Sequence, residues 1–160
     1  MKAAVVLMLF LACTKDAPPV QTTSPAPAPA QTATAPAAAT GPRVIFPNGD
    51  VIAVEIAADD DLRAQGLMFR DHLRPSSGML FFFPQDGDYG FWMKNTVIPL
   101  DMIWIDSSRR IVHVKNDVPP CRVEICPSYD PGVPARYVLE LAAGQAAKHG
   151  LKAGDVVRFE

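Results

Sequence analysis

The sequence predicts an α+β, mainly β domain: a compact strand-rich barrel or roll carrying two short helices. Three observations point there. Runs of four to eight apolar, aromatic and β-branched residues recur from residue 43 onward, broken by Pro, Gly, Asn or Ser pairs. Only two short stretches carry the start and stop signals of a helix. The chain is 160 residues long and 49% apolar, which leaves room for one ordinary domain with an appendage. Sixteen prolines sit oddly with that apolar fraction until they are placed along the chain.

The first twelve residues read as an export signal. Lys2 supplies one positive charge, and Ala3 to Leu11 is an uninterrupted apolar run, too short for a membrane-crossing helix of about twenty residues. Leu11-Ala12-Cys13 resembles a lipoprotein signal, in which the chain is cut before the cysteine and Cys13 carries lipid; Phe10 departs from the Leu usual in such signals. The expected partner is therefore a bacterial membrane, reached through acyl chains on Cys13 at about 0.8 kcal/mol per buried CH₂. The expected location is extracytoplasmic, in the periplasm or on the cell surface. Residues 13 to 42 follow as a tether. From Thr14 to Pro42 there are seven prolines, nine alanines and six threonines, with Val20 the only larger aliphatic residue. Such a segment buries too little apolar surface to offset the entropy of ordering it. In extended polyproline form, at roughly 3.1 Å per residue, it reaches at most on the order of 90 Å.

Residues 43 to 160 form the single domain, with twelve of the thirteen aromatic residues. Arg43–Pro47 and Asp50–Ala57 are strands joined at Asn48-Gly49, a dipeptide suited to the positive φ angles of a tight hairpin. Asp59-Asp60-Asp61 places an N-cap and negative charge at the start of a short helix that Gly66 ends. Met79–Phe83, Tyr89–Asn95, Asp101–Asp106 and Arg110–Lys115 are further strands, with Pro84, Pro99 and Ser107-Ser108 as breakers. Arg136–Leu141 alternates as a half-buried strand does, Ala142–His149 is a short helix stopped by Gly150, and Asp155–Phe159 is the last strand. Five prolines between Asp117 and Pro134 argue against regular structure there. Within that stretch Cys121 and Cys126 are spaced C-x₄-C, and in an oxidising compartment a disulfide is the expected state.

Four blocks stand out: Arg63-Ala64-Gln65-Gly66-Leu67-Met68-Phe69-Arg70, Gly78-Met79-Leu80-Phe81-Phe82-Phe83, Phe91-Trp92-Met93-Lys94-Asn95-Thr96 with Pro99-Leu100-Asp101, and Tyr137-Val138-Leu139-Glu140-Leu141 with Gly144. In this order and spacing they resemble the family of uncharacterised bacterial and archaeal proteins known as domain of unknown function 192, over residues 43 to 160. Leu62 departs from the acidic residue that many members carry before the Arg. The resemblance implies a fold and an exported setting but no activity, so the chemistry rests on the residues.

The domain holds thirteen Lys and Arg against sixteen Asp and Glu, which argues against a nucleic-acid binder built on a basic field. No cofactor fingerprint, phosphate loop or nucleophile elbow occurs. His72, His113 and His149 are scattered, so no metal site is expected; His149 suits a helix C-terminus. Met68, Met79, Met93 and Met102 are expected in the core rather than around copper. The expected function is binding of a small anionic or sugar-like envelope ligand, in a pocket lined by Met68, Phe81, Trp92 and Met93. Arg63, Arg70, Lys94 and Asn95 would supply its polar contacts. Asp101 and Glu140 are acids inside apolar strands, so each is either paired with Arg63, Arg70 or Arg136, or held with a raised pKa. The second case would make an enzyme with one of them as general acid or base and Lys94 or Arg63 as electrostatic stabiliser. A third reading, a structural or interaction protein of the envelope, requires only that these polar blocks satisfy one another.

Overall fold

A computed structural model describes residues 41–160; the expected signal, the lipidated Cys13 and almost all of the tether lie outside the described residues. The domain is strand-rich with two short helices, as expected. Strands β1 (Arg43–Ile45) and β2 (Val51–Ala57) form an antiparallel hairpin. Its turn is not the two-residue form that Asn48-Gly49 suggested. Gly49 N–H donates to the Phe46 carbonyl and Phe46 N–H to that of Asp50, at 2.9 Å each, and only Gly49 adopts positive φ, at 88°. Pro47 fits the first central position of a type I turn, so the loop closes with one glycine-centred bulge instead. Asn48 contributes through its side chain, accepting from Asp50 N–H at 3.0 Å.

Helix α1 (Asp60–Gln65) carries the chain across to β3 (Ser77–Gly87), which runs parallel to β2. Asp59 caps α1 by accepting from Leu62 N–H at 2.8 Å, and Gly66 ends it at φ 48°. Pro84 lies inside β3 and does not break it, because the ladder with β8 (Ala135–Ala142) shifts register between Phe82 and Gly87. A proline without an N–H is tolerated at such an irregularity. β5 (Leu100–Ile105) lies between β8 and β6 (Ile111–Val118).

These strands make a curled seven-stranded sheet in the order β6-β5-β8-β3-β2-β1-β9, with β9 at Arg158–Phe159. The C-terminal segment reaches both edges. Arg158 and Phe159 pair with β1, while Val156 bridges to Arg110 and Asp155 accepts from Ile111 N–H at 2.8 Å. That contact saves the sheet from leaving two long open edges. The other expected strand, Tyr89–Asn95, shrinks to β4 (Phe91–Trp92), which pairs with β7 (Ser128–Tyr129) as a separate ribbon. Asn95, at φ 57°, turns the chain out of the extended conformation that a longer strand requires.

Both faces of the sheet are covered, which is why its strands read as apolar on both sides. Leu80, Ile103, Ile105, Leu139 and Leu141 join one core with Ala146 of helix α2 (Gln145–Lys148). Met79, Phe81, Met102, Trp104 and Val138 join a second core with Leu67 and Met93. Trp104 is fully buried, and its Nε1 donates to the Tyr89 carbonyl at 2.8 Å.

Candidate functional site

Glu140 belongs to the second core by alternation. It pairs in register with Met79 on β3 and with Met102 on β5, so its carboxyl enters the face those methionines occupy. The backbones approach closely there: a Cβ on Gly78 would stand 2.6 Å from the Glu140 carbonyl oxygen. Glu140 is 4% exposed and no hydrogen bond or ion pair to its carboxyl occurs among the described residues. Burial alone pushes its pKa from 4.5 up to about 8, because an apolar surrounding penalises the charged form.

The unpaired carboxyl borders a cavity of about 30 Å³, lined also by Arg63, Met68, Phe81, Phe91, Trp92 and Thr96. Helix α1 and the turn after it supply one wall. Gly66 runs close to the Phe81 ring, where a Cβ would sit 3.3 Å from the ring edge. Arg63 turns inward across the helix end, donating to the Phe82 carbonyl at 2.8 Å and to that of Ala58, while its other terminal nitrogen pairs with Asp60. Its guanidinium also stands 5.5 Å from the centre of the Phe83 ring. Arg63 thus both pairs with Asp60 and lines the cavity, with its guanidinium already engaged by protein acceptors. Thr96 is 5% exposed; its hydroxyl lies 3.4 Å from the Lys94 carbonyl.

Trp92 stands half exposed at this cavity, with Lys94 Nζ 5.4 Å from its ring centre. Asn95 lies beside the cavity rather than in it, its amide 3.7 Å from Met68 Sδ. Met93 faces the second core at 1% exposure and lines none of this cavity. Arg70 points elsewhere: both terminal nitrogens meet the Glu55 carboxylate, one at 2.6 Å, at the rim of a separate depression of about 410 Å³. That bidentate pair raises the Arg70 pKa and lowers that of Glu55.

Asp101 is also buried, but on the opposite face. One carboxylate oxygen accepts from Asp117 N–H at 2.9 Å and the other from Ala146 N–H at 2.7 Å. It ties the end of β6 and the first turn of α2 to the sheet. The two acids expected as catalytic candidates are thus separated by the sheet, and neither pairs with an arginine.

Thr96 and Phe91 enter the site without having been singled out as contacts, although both lie within the Phe91–Thr96 block. Strand alternation would put Thr96 on the face of Trp92 and Lys94, whereas the turn at Asn95 leaves it 5% exposed beside the cavity. His149 was placed only at a helix end. It also lies 2.6 Å through Nδ1 from Asp50 Oδ2, holding α2 against the hairpin turn. Met79, Met93 and Met102 are packed at 5% exposure or less, and no group of three His, Cys, Asp or Glu residues close enough for a metal ion occurs among the described residues. Cys121 and Cys126 are joined as a disulfide.

Comparison with known proteins gives a family and two structural relatives. Residues 43–159 match the model of DUF192, described as an uncharacterized ACR. A crystal structure from Sinorhizobium meliloti 1021, provisionally described as a transcription regulator, is 38% identical, with a TM-score of 0.65 over 74% of this chain and 91% of that one. A protein of unknown function from Novosphingobium aromaticivorans DSM 12444 is 35% identical, with a TM-score of 0.66 over 73% of this chain and 82% of that one. No curated protein matches the chain.

Proposed function

The chain belongs to the DUF192 family, and from that premise we propose that it is a small-ligand binding module whose ligand offers a hydroxyl or similar polar group to Glu140. One observation carries the reading: a carboxyl 4% exposed, without a protein partner, bordering a cavity beside Arg63, Thr96 and Trp92. A carboxyl that meets no protein donor is free to hydrogen-bond a group entering the cavity it borders. A volume near 30 Å³ takes one group of a larger molecule, about the size of a water. The exposed Trp92 face beside it is a platform for the ring that carries that group.

Of the anionic and sugar-like ligands, the sugar-like one fits better. Arg63 and Arg70 are already bound to carboxylates and carbonyls. A protonated Glu140 donates a hydrogen bond to a hydroxyl, whereas its ionised form repels an anion. We place this module outside the cytoplasm, tethered by residues 13–42 to lipid on Cys13; this rests on the sequence of that segment, and a Cys13→Ala chain should leave the membrane fraction. The description of the Sinorhizobium relative as a regulator finds little support here. The domain is mildly acidic, and its two helices of six and four residues are too short to fill a major groove.

Isothermal titration and amide NMR against glucose, N-acetylglucosamine and glucuronate test the reading. Neutral sugars should shift the Trp92 and Thr96 amides, and Glu140→Ala and Trp92→Ala should each abolish that shift with the fold intact. Unchanged binding in both variants would sink it. A second reading, with Glu140 as a lone general acid, is favoured by its pKa near 8; it predicts turnover that Glu140→Gln removes while ligand affinity survives.

A further inference from the structure

We infer that the ligand is an amphiphile, with a sugar-like head that reaches Glu140 and an apolar substituent that lies in the adjoining groove beside Phe69. This rests on the binding reading above and adds the class of molecule. The groove has a volume of about 340 Å³ and is lined by Phe69, Asn95, Thr96, Val97, Pro120, Cys121 and Arg122. Thr96 lines both it and the Glu140 cavity, so the two spaces are neighbours that share a residue. The cavity alone is too small for a ligand, whereas the groove falls within the roughly 300–1,000 Å³ of ordinary small-molecule sites.

The groove walls are unusual for a solvated surface. Phe69 is 74% exposed and Val97 57%. Of the nine large hydrophobic side chains exposed among the described residues, two line this groove, Phe69 and Val97, and two more, Val123 and Ile125, lie in the disulfide loop that continues from Cys121. An apolar concentration of this kind marks a place where something apolar binds.

Backbone geometry fixes Phe69 in that position. It sits at φ 63°, a conformation unfavourable for an aromatic residue, and its N–H donates at 2.8 Å to the carbonyl of Asn95, itself at φ 57°. The protein holds two residues in the left-handed region and so carries an aromatic ring out beside the groove. Glu140, Arg63 and Thr96 make the head cavity polar, while Phe69, Val97 and Pro120 give the groove its apolar wall, with Arg122 also lining it, which matches a two-part ligand.

Methyl, butyl, hexyl and octyl β-glucoside, each below its micelle concentration, are titrated against glucose as reference, by calorimetry on the domain with its disulfide intact. Affinity should rise with chain length, roughly two- to fourfold per added CH₂ until the groove is filled, somewhat below full burial because the groove is open on one side. The gradient should flatten in Phe69→Gly, which removes the ring while suiting the positive φ, and in Val97→Ser. Equal affinity for glucose and octyl glucoside, or a gradient that persists in both variants, would overturn the amphiphile and leave the Glu140 reading standing. Failure of glucose and of every glucoside to bind would overturn both.

Discussion

Asp101 and Glu140 stand one residue out of register on adjacent strands, and their carboxyls enter opposite faces of the same sheet. Both are almost fully buried. Asp101 accepts two backbone N–H groups, while Glu140 accepts none from the described residues. Identical side-chain chemistry in adjoining positions is thereby divided into a structural role and an open one. Asp101→Ala should lower unfolding free energy by about 3 kcal/mol, since a buried and a part-buried backbone N–H lose their acceptor. Glu140→Gln should leave stability equal or higher. Urea unfolding of both variants at pH 7 checks the contrast, and a larger loss for Glu140→Gln than for Asp101→Ala would refute it.

Stability should also fall with pH in a window set by Glu140. Its carboxyl ionises near 4.5 when unfolded and near 8 when folded. Between those values the folded state holds a proton that the unfolded state has released, so unfolding becomes easier as pH rises from about 4.5 to 8 and then levels off. The loss across the window is on the order of a few kcal/mol. Glu140→Gln should flatten this slope, which thermal unfolding from pH 4 to pH 9 would show; the same slope in the variant would assign it to another group.

Much of this was legible in the sequence, and the misses have physical causes. Strand positions followed from short apolar runs between breakers, and α1 from Asp59 and Gly66, because these signals are local. Pro84 misled because its effect depends on whether the partner ladder needs its N–H, which is a property of β8. Arg136–Leu141 alternates as a half-buried strand does, yet β8 is covered on both faces and Glu140 is buried, because what packs on its second face comes from elsewhere in the chain. Arg63, Arg70 and Lys94 looked like one cationic cluster by proximity of blocks. Glu55, which captures Arg70, comes from β2, and only the parallel β2–β3 pairing brings that strand into position.

Reduction of the Cys121–Cys126 disulfide should have a small, local effect. The bridge closes a loop of only a few residues, with a sequence separation of 5, and constrains the unfolded chain by about 2 kcal/mol on the chain-entropy model. A Cys121→Ser/Cys126→Ser double variant should keep the fold and lose about that much in urea unfolding. If the loop also shapes the groove, through Pro120 and Arg122, the octyl glucoside gradient should weaken in the same variant while glucose affinity holds.

Phe69 and Asn95, both in the left-handed region, are joined by a backbone hydrogen bond of 2.8 Å. Asn95 tolerates positive φ better than most residues, and its amide reaches Met68 Sδ at 3.7 Å. Asn95→Gly keeps the backbone conformation easy and loses only that weak contact. Asn95→Ala keeps the Cβ but loses the short polar side chain that makes this region tolerable, a region that costs other L-residues roughly 1–2 kcal/mol. The alanine variant should therefore be about 1 kcal/mol less stable than the glycine variant, with the wild type close to the latter. Because the Asn95 carbonyl anchors Phe69, strain at Asn95 should also loosen the aromatic ring and the Thr96 wall that the cavity and groove share. Amide exchange at Phe69 should then be faster in Asn95→Ala than in Asn95→Gly; equal rates would show that the bond between them does not hold Phe69 in place.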